Sequence, residues 1–210
     1  MNEEFLKAYQ EIEKSFQALS KFNNVITIFG SARVKTDSKD YQKIFKLAKK
    51  LGEKGYSIMS GGGPGIMEAA NKGLIEAKKT SSLKNQVSIG LNIQLPFEQE
   101  MNPYVEIPLK FEHFFSRKLV FNYNSTAFIV AKGGFGTLDE LSEVLVQIST
   151  GKHKKIPIIL YDEKFWSRML KWFKKQLLKE NLICKKDLEI LQIASTPKEV
   201  LKILKDFKED

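Results

Sequence analysis

Residues 133–140 read Gly133-Gly134-Phe135-Gly136-Thr137-Leu138-Asp139-Glu140, and they follow the apolar run Ala127-Phe128-Ile129-Val130-Ala131. An apolar run of strand length, then clustered glycines, then an amphipathic segment predicts a buried strand that turns into a helix. Glycines let a ligand approach the backbone closely, and the free N–H groups at a helix start favour a phosphate or a carboxylate. We therefore expect an anion site at this turn, with the chemistry of the protein beside it.

A second stretch has the same design. The strand candidate Tyr56-Ser57-Ile58-Met59 leads into Ser60-Gly61-Gly62-Gly63-Pro64-Gly65, and a helix is predicted from Ile66, with Pro64 suited to its first turn. Two such turns in one chain indicate one shared ligand pocket. The chain contains no Gly-x-x-x-x-Gly-Lys-[Ser/Thr] sequence, and Gly61-x-Gly63-x-x-Ile66 lacks the third glycine of a dinucleotide fingerprint. Neither a triphosphate P-loop nor a dinucleotide site is predicted.

The remaining segments predict an alternation of buried strands and amphipathic helices. Further strands are expected at residues 25–29, 87–91 and 156–160, and helices at 5–22, 40–54, 111–124, 165–180 and from a capping box at Thr196 onward. Residues 94–103 are expected to be irregular, and the type of element at 188–193 is left open. The order predicts an α/β fold, a Rossmann-like doubly wound, mostly parallel sheet with flanking helices. We expect one domain over residues 1–210, with an N-terminal helix at 1–22 and the body at 23–210.

The composition indicates a folded globular protein, because 42% of the 210 residues are hydrophobic and 28% are charged. The longest apolar runs are only strand-sized, and Glu3 and Glu4 stand where a signal peptide would carry positive charge. We therefore expect neither export nor a membrane span. Cys184 is the single cysteine, which excludes an intramolecular disulfide and agrees with a cytoplasmic location.

Most of the net charge of +9 is concentrated in one region. Residues 152–186 contain eleven Lys or Arg against three acidic residues, a local balance of +8. A nucleic-acid surface usually interleaves such charges with exposed stacking aromatics. Here the large side chains instead have the spacing of a broad apolar helix face: Phe165, Trp166, Met169, Leu170, Trp172, Phe173, Leu177 and Leu178. We interpret the region as a solvated face and expect no nucleic-acid partner.

Glu140, Arg117 and Lys118 each allow two interpretations. Thr137-x-x-Glu140 matches a capping box, in which Glu140 is structural. If an anion occupies the helix start, Thr137 can turn to that ligand, and Glu140 can stabilise an oxocarbenium-like sugar or activate a water. Arg117 and Lys118 lie beside a phenylalanine stripe of a predicted helix. There, either their stems cover apolar surface or their charges converge on a bound anion.

Other polar residues carry weaker signals. Ser31 and Arg33, just after the first strand, are candidates for sugar or phosphate contacts or ordinary turn residues. His113 lies one predicted helical turn before Arg117, and His153 lies in a lysine-rich loop. No cysteine, aspartate or second histidine stands at ligand spacing from either histidine, so we expect no metal site and no nucleophilic triad. No cofactor is expected.

Five motifs occur along the chain in this order: Gly30-Ser31-Ala32-Arg33, Gly61-Gly62-Gly63-Pro64-Gly65-Ile66-Met67-Glu68-Ala69-Ala70-Asn71, Leu95-Pro96-Phe97-Glu98-Gln99, Phe114-Phe115-Ser116-Arg117-Lys118 and residues 133–140. Together they resemble the LOG (Lonely Guy) family. Its members are cytokinin riboside 5′-monophosphate phosphoribohydrolases and related nucleotide nucleosidases, many once labelled lysine decarboxylases. The resemblance runs from about Val25 to the last helix. It implies a Rossmann-like fold and a homodimer or larger assembly with active sites near the subunit interface.

The resemblance also implies an activity and residue roles. The activity is hydrolysis of a nucleoside 5′-monophosphate, AMP or a cytokinin riboside 5′-monophosphate, to free base and ribose 5-phosphate. The long Gly-Gly-Gly-Pro-Gly-Ile-Met-Glu form resembles the branch with broader base release, which favours AMP as the test substrate. Arg117 and Glu140 fall on the family's catalytic arginine and glutamate. Substrate binding is implied for Ser31, Gly62, Gly63, Glu98, Lys118, Gly133, Gly134, Gly136 and Thr137.

One departure from the family pattern and one rival function remain open. The family turn usually begins with proline, whereas Lys132 precedes Gly133, which can alter the turn or add a charge near the phosphate. The rival is a non-catalytic module of the same fold that binds a nucleotide or carries a phosphorylated cofactor. The presence of both Arg117 and Glu140 favours the enzyme. Amino-acid decarboxylation is not supported. Such decarboxylases bind pyridoxal phosphate through a Schiff-base lysine, and no lysine here stands in a recognisable sequence context for that role.

Overall fold

Strands and helices alternate along the chain of the computed structural model, which describes residues 3–80, 82, 85–96 and 100–207. The elements in chain order are α1 Glu3–Leu19, β1 Val25–Phe29, α2 Lys39–Glu53, β2 Ser57–Ser60, α3 Ile66–Thr80, β3 Ser88–Ile93, β4 Ile107–Phe111, α4 Phe114–Tyr123, β5 Ala127–Val130, α5 Phe135–Ser149, β6 Ile158–Tyr161, α6 Glu163–Trp172, a π-helical segment Phe173–Leu178, α7 Lys185–Glu189, β7 Leu191–Ala194 and α8 Pro197–Asp206. Every helix within the described residues is too short or too polar to span a lipid bilayer.

The strands form one seven-stranded sheet in the order β4-β3-β2-β1-β5-β6-β7, and each neighbouring pair is parallel. Side chains alternate across it, so that Val25 and Phe29 of β1 face one layer of helices and Ile26 and Ile28 face the other. The first layer contains α1, α4, α5 and α6, and the second contains α2, α3 and α8. The predicted Rossmann-like, doubly wound parallel sheet is confirmed.

β1 is the strand at which the strand order reverses. It pairs with β2 on one side and with β5 on the other. The loops that leave β1 and β5 therefore diverge at the carboxyl edge of the sheet, and a crevice opens between them. Both predicted strand-to-helix turns lie at this edge, since one follows β2 and the other follows β5.

The sequence does not predict β4, and it places the following helix too early. β4 is an edge strand in which Pro108 and Lys110 are exposed while Phe111 is buried. Proline and lysine are typical of edge strands, because they oppose pairing with a further strand. The predicted helix at 111–124 therefore begins at Phe114, and Phe111 belongs to the sheet. Pro64 likewise lies in the turn before α3 and not in its first turn.

Several predicted helix faces also differ from the structure. Phe114 and Phe115 are half-exposed whereas Phe121 is buried, so only part of the phenylalanine stripe of α4 faces the core. The helix predicted at 165–180 is α6 continued by the π-helical segment, and it buries only Trp166 fully. The open segment 188–193 divides between the end of α7 and β7. The capping box at the start of α8 is confirmed.

Candidate active site

A cavity of about 600 Å³ opens at the carboxyl edge of the sheet, where β1 meets β5. Residues 30–33 after β1, Gly61 after β2, and Ile93 and Leu95 at the end of β3 form part of its wall. Side chains of α4 and the first two turns of α5 complete it. Both predicted glycine turns therefore contribute to one cavity, as the sequence indicates.

The start of α5 removes the structural interpretation of Glu140. The helix begins at Phe135 after Gly134, and no side chain caps it. Thr137 is the third helical residue and Glu140 lies in the second turn, so the predicted capping box does not form. Both side chains are buried and line the cavity. Glu140 is therefore a buried carboxylate without a capping role.

Backbone N–H groups are available at this helix start. The first hydrogen bonds of the helix run from the N–H groups of Thr137 and Leu138 to the carbonyl of Gly134, each at 3.0 Å. The amides of Phe135 and Gly136 precede them and have no partner within a helix. Side chains at Gly134 or Gly136 would meet open space. The geometry is that of a helix N-terminus accessible to an anion.

Gly133 has a different requirement. A Cβ atom at this position would overlap the side chain of Thr137. Gly133 therefore allows the Thr137 hydroxyl to lie against the turn. Gly133 itself does not line the cavity, whereas Gly134, Gly136 and Thr137 do.

Arg117 and Glu140 meet in the cavity wall. Arg117 Nη2 lies 3.3 Å from Glu140 Oε1, and the two side chains are only 13% and 7% exposed. The guanidinium lies between two rings, 5.4 Å from the centre of Phe114 and 5.7 Å from that of Phe121. Arg117 Nε is buried and makes no hydrogen bond to the described residues. The arginine is held by one carboxylate and two aromatic faces.

Burial opposes ionisation of both partners. Burial lowers the pKa of Arg117, although the charge of Glu140 acts in the opposite direction. Burial also raises the pKa of Glu140, and the nearby charges of Arg117 and Lys118 offset this only in part. The arginine still remains protonated at neutral pH because its reference pKa is so high. Glu140 is a carboxylate whose proton affinity exceeds that of an exposed glutamate.

α4, which carries Arg117, is held by the N-terminal helix. Glu11 of α1 accepts a hydrogen bond from the backbone N–H of Glu112 at 2.6 Å and another from the hydroxyl of Ser116. Glu11 also lies 3.4 Å from His113 Nδ1. His113 is the N-cap residue of α4 and gives no side-chain cap. Glu11 thus supplies from a distant helix the negative charge that a helix N-terminus favours.

The glycines after β2 divide between two roles. Gly61 lines the cavity, but Gly62 and Gly63 do not. Their carbonyls each accept a hydrogen bond at 3.0 Å from the side-chain amide of Asn102. That amide also bonds to the buried side chain of Asn71 at 3.0 Å. Gly62 and Gly63 therefore fix the turn, and the predicted contact of these two glycines with substrate has no counterpart in the cavity wall.

Ser31 connects three loops and lines the cavity. Its backbone N–H donates to the carbonyl of Lys132, and its carbonyl accepts from the N–H of Ile66, both at 3.0 Å. Its hydroxyl accepts from the N–H of Arg33 at 3.1 Å. Arg33 is exposed at the rim of the same cavity. Ser31 therefore lies in the cavity wall, and its contact with a sugar or phosphate stays a prediction.

Lys118 lies behind Glu140. Its amino group pairs with Asp139 at 2.7 Å and with Glu143 at 3.7 Å, on the outer side of α5, and it does not line the cavity. The role of Lys118 in substrate binding stays a prediction, since in this structure its amino group faces Asp139 and Glu143. Glu98 lies outside the described residues.

Lys132, which replaces the expected proline, points away from the cavity. Its amino group pairs with Asp40 at 2.9 Å and with Asp162 at 3.4 Å, at the starts of α2 and α6. The bond to Asp40 raises the pKa of Lys132. Burial opposes ionisation of Asp162, but the hydrogen bond from Lys43 and the charge of Lys132 outweigh it, and the pKa of Asp162 is lowered. Lys132 therefore ties the turn to two helices and adds no charge at the helix N-terminus of α5.

The sequence did not predict the roles of three residues near the site. Glu11 holds α4, Asn102 holds the turn after β2, and the ring of Phe121 packs against Arg117. Glu11 and Asn102 act on partners 101 and 40 residues away in the chain, respectively. No local pattern marks such contacts. Phe121 was recognisable only as one member of an apolar stripe.

Comparison with known proteins gives a consistent family. A family model described as "Possible lysine decarboxylase" matches residues 67–204. A probable cytokinin riboside 5′-monophosphate phosphoribohydrolase of Oryza sativa subsp. japonica is 27% identical over 207 residues, which is 97% of this chain and 79% of the relative. A cytokinin riboside 5′-monophosphate phosphoribohydrolase of Arabidopsis thaliana is 28% identical over 199 residues, 94% of this chain and 88% of the relative.

Solved structures share the fold. The molybdenum cofactor binding protein of Rippkaea orientalis superposes with a TM-score of 0.63 at 21% identity, over 88% of this chain and 97% of that protein. The molybdenum cofactor carrier protein of Chlamydomonas reinhardtii superposes with a TM-score of 0.60 at 20% identity, over 86% and 96% of the two chains. At these identities the likeness concerns the architecture alone.

We expect Lys132→Met to lower the free energy of unfolding at pH 7 by about 0.5–1 kcal/mol, since these ion pairs are partly exposed to water. The lowered pKa of Asp162 means that its contribution is present above the pKa of an unfolded aspartate and is lost as the pH falls. The difference between variant and wild type should therefore shrink below about pH 4. Urea unfolding at both pH values measures it.

Lys39→Met is the matched control, because Lys39 is exposed on α2 and forms no ion pair with the described residues. It should stay within about 0.5 kcal/mol of the wild type. If Lys132→Met loses as much free energy of unfolding below about pH 4 as at pH 7, its ion pairs are not the cause of the loss.

Proposed function

The chain belongs to the LOG family, whose model matches more than half of its length, and we propose that it is a hydrolase that cleaves the N-glycosidic bond of nucleoside 5′-monophosphates. The products are the free base and ribose 5-phosphate. The observation that carries the proposal is the buried pair of Arg117 and Glu140 beside the start of α5. The relatives in rice and Arabidopsis named as phosphoribohydrolases support the same chemistry. AMP is the first substrate to test, and a cytokinin riboside 5′-monophosphate is the second.

The 5′-phosphate binds at the start of α5 in this proposal. The amides of Phe135 and Gly136 and the hydroxyl of Thr137 offer hydrogen-bond donors, and the helix dipole favours the negative charge. Gly61 and Ser31 border the same space from the neighbouring loops. A phosphate held here places the ribose toward the second turn of α5, where Glu140 lies.

Glu140 acts at C1′ of the ribose. Its carboxylate stabilises the positive charge that develops there as the bond from C1′ to the base nitrogen breaks, or it takes a proton from the attacking water. The water oxygen forms the new bond to C1′, and the departing base gains a proton. The raised pKa of Glu140 suits this work, because a base with higher proton affinity accepts a proton more readily near neutral pH.

Arg117 and Lys118 have supporting roles. Arg117 orients the sugar or assists the departing base, with its guanidinium fixed by Phe114 and Phe121. Lys118 pairs with Asp139 and influences the charge of Glu140 from behind. Glu98 is assigned to the ribose on the resemblance alone.

Glu140→Gln is expected to lower turnover of AMP by about 100- to 10,000-fold with a modest change in AMP affinity. The amide keeps the shape of the side chain but can neither carry the charge nor accept the proton. Chromatography of free adenine and ribose 5-phosphate gives turnover, and calorimetry of the variant gives affinity. Glu143→Gln, one turn further along α5 and outside the cavity wall, is the control and should retain turnover within a few-fold. Equal turnover in Glu140→Gln and wild type would remove Glu140 from the mechanism.

The acid limb of the pH–rate profile should respond in opposite directions to two substitutions. If turnover needs ionised Glu140, the raised pKa places this limb above that of an exposed glutamate. Lys118→Met removes a charge that lowers the pKa of Glu140, so the limb moves to higher pH. Asp139→Asn removes a charge that raises it, so the limb moves to lower pH. Measurement of kcat/KM for AMP against pH tests both, and shifts in the same direction would exclude Glu140 as the titrating group.

We also propose a homodimer that covers the mouth of the cavity. Phe114 and Phe135 both border the cavity and are 51% and 91% exposed, and exposed apolar side chains of this size are typical of interaction surfaces. Sedimentation velocity should find a dimer for the wild type and a weakened dimer for Phe135→Ser. Phe165→Ser changes another exposed phenylalanine, away from the cavity, and should leave the dimer intact. A monomeric wild type would refute the proposal.

The alternative is a non-catalytic carrier of a nucleotide or a phosphorylated cofactor. The fold shared with the molybdenum cofactor binding and carrier proteins favours this candidate. It needs the helix start of α5 but not the pair of Arg117 and Glu140. Wild-type protein that binds AMP and releases no base from any nucleoside monophosphate would favour the carrier over the enzyme.

A further inference from the structure

The outer face of α6 exposes two aromatic side chains of the broad apolar helix face that the sequence predicts. Phe165 is 42% exposed and Trp172 is 52% exposed. They are seven residues apart, which puts them on the same side of a helix about two turns from each other. Trp166, by contrast, is fully buried and packs into the core. The apolar helix face that the spacing predicts is therefore covered only in part, because Phe165 and Trp172 remain exposed.

The same segment carries many cations. Six exposed basic residues lie on α6, on the π-helical segment or directly after it: Lys164, Arg168, Lys171, Lys174, Lys175 and Lys179. Within the part of the chain that the structure describes, none of the six is within 4.0 Å of a carboxylate. Glu163 is the single acidic residue of the segment 163–179. The face carries a concentrated positive charge that no ion pair with the described residues neutralises.

The helix that carries these rings and charges, α6, is fixed to the sheet. The indole N–H of Trp166 donates to the carbonyl of Val130 at 3.1 Å, which fastens α6 to the end of β5. Phe165 packs edge-on against Trp166, with ring centres 4.9 Å apart. Trp172 lies 5.7 Å from Phe173. Aromatic rings braced in this way lose little conformational entropy when a flat partner stacks on them.

We propose that this face of α6 and the π-helical segment binds single-stranded nucleic acid. Unpaired lysines neutralise phosphates along the backbone, and exposed aromatic rings stack with bases that are not held in a duplex. Arg168 lies one turn from each ring and can contribute both a charge and a planar surface. Such a surface recognises a flexible polyanion with flat bases and reads little sequence. It lies outside the cavity, so it is independent of the proposed hydrolase activity.

Other occupants fit this face less well. A second copy of the chain would bring its six unpaired cations against these, which is unfavourable at short range. An anionic membrane would attract the charge, but interfacial helices insert a continuous apolar face. Here Trp166, Met169 and Leu170 pack against the core, which leaves two separate rings with cations between them.

The test is binding of a fluorescein-labelled oligouridylate and oligothymidylate of about 12 nucleotides to the full chain, followed by anisotropy. We expect both to bind, with a log–log salt slope between about −2 and −4. Lys171→Glu/Lys175→Glu should abolish binding. Lys198→Glu/Lys202→Glu makes the same change of net charge on exposed positions of α8 and should retain it. Circular dichroism verifies that both double variants are folded.

Tryptophan fluorescence provides the readout for stacking, because the chain has two tryptophans and only Trp172 is exposed. Unlabelled oligonucleotide should quench the emission of wild type. Trp172→Phe should bind within a few-fold of wild type without that quenching, and Trp172→Ala should bind about 5- to 100-fold more weakly. Excess AMP should not displace the oligonucleotide, since AMP is expected in the cavity.

Four outcomes would overturn the proposal: no binding by wild type, equal losses in the two double variants, displacement by AMP, or binding to phosphatidylserine vesicles with no binding to either oligonucleotide. The last result would identify the face as a membrane-surface site. If both double variants lose binding equally, the oligonucleotide responds to the net charge of the protein and not to this face.

Discussion

The carboxyl edge of the sheet is held together at Ser31, whose backbone bonds in two directions. Its N–H donates to Lys132 and its carbonyl accepts from Ile66, which joins the loop after β1 to the turn after β5 and to the start of α3. β1 is the strand where the strand order reverses, so these segments would otherwise diverge. These two backbone hydrogen bonds join the loops that border the cavity, and side chains such as Lys132 and Asn102 add further ties.

In the cavity, the attraction between Arg117 and Glu140 does not fully compensate for the burial of their charges. Burial raises the pKa of Glu140 and lowers that of Arg117, although the two charges are only 3.3 Å apart. Each charge therefore gains from a further opposite charge in the cavity. In the proposed reaction the sugar develops positive charge near Glu140, and the phosphate lies at the start of α5. The desolvation cost of a buried pair of this kind can exceed the attraction between its two charges.

Positions that match a family motif do not all serve the ligand. Gly61 lines the cavity, whereas the adjacent Gly62 and Gly63 give their carbonyls to Asn102 and stabilise the turn. Lys132 stands where a proline is expected and fastens the other glycine turn, the one after β5, through ion pairs with two helices. A rigid turn thus arises here from charge and not from a restricted backbone angle.

Local periodicity determined the parallel α/β sheet, because apolar runs of strand length alternate with amphipathic helices, and glycines after two strands marked the cavity edge. The sequence also named Arg117 and Glu140, yet it left each with two interpretations. Only the tertiary structure decided between them, since the capping box of Glu140 depends on where α5 begins and the setting of Arg117 depends on a contact 23 residues away. Likewise, periodicity showed that the segment from Phe165 has an apolar side but not which rings the sheet would cover. That choice follows from the path of α6 over β5, which no local pattern encodes.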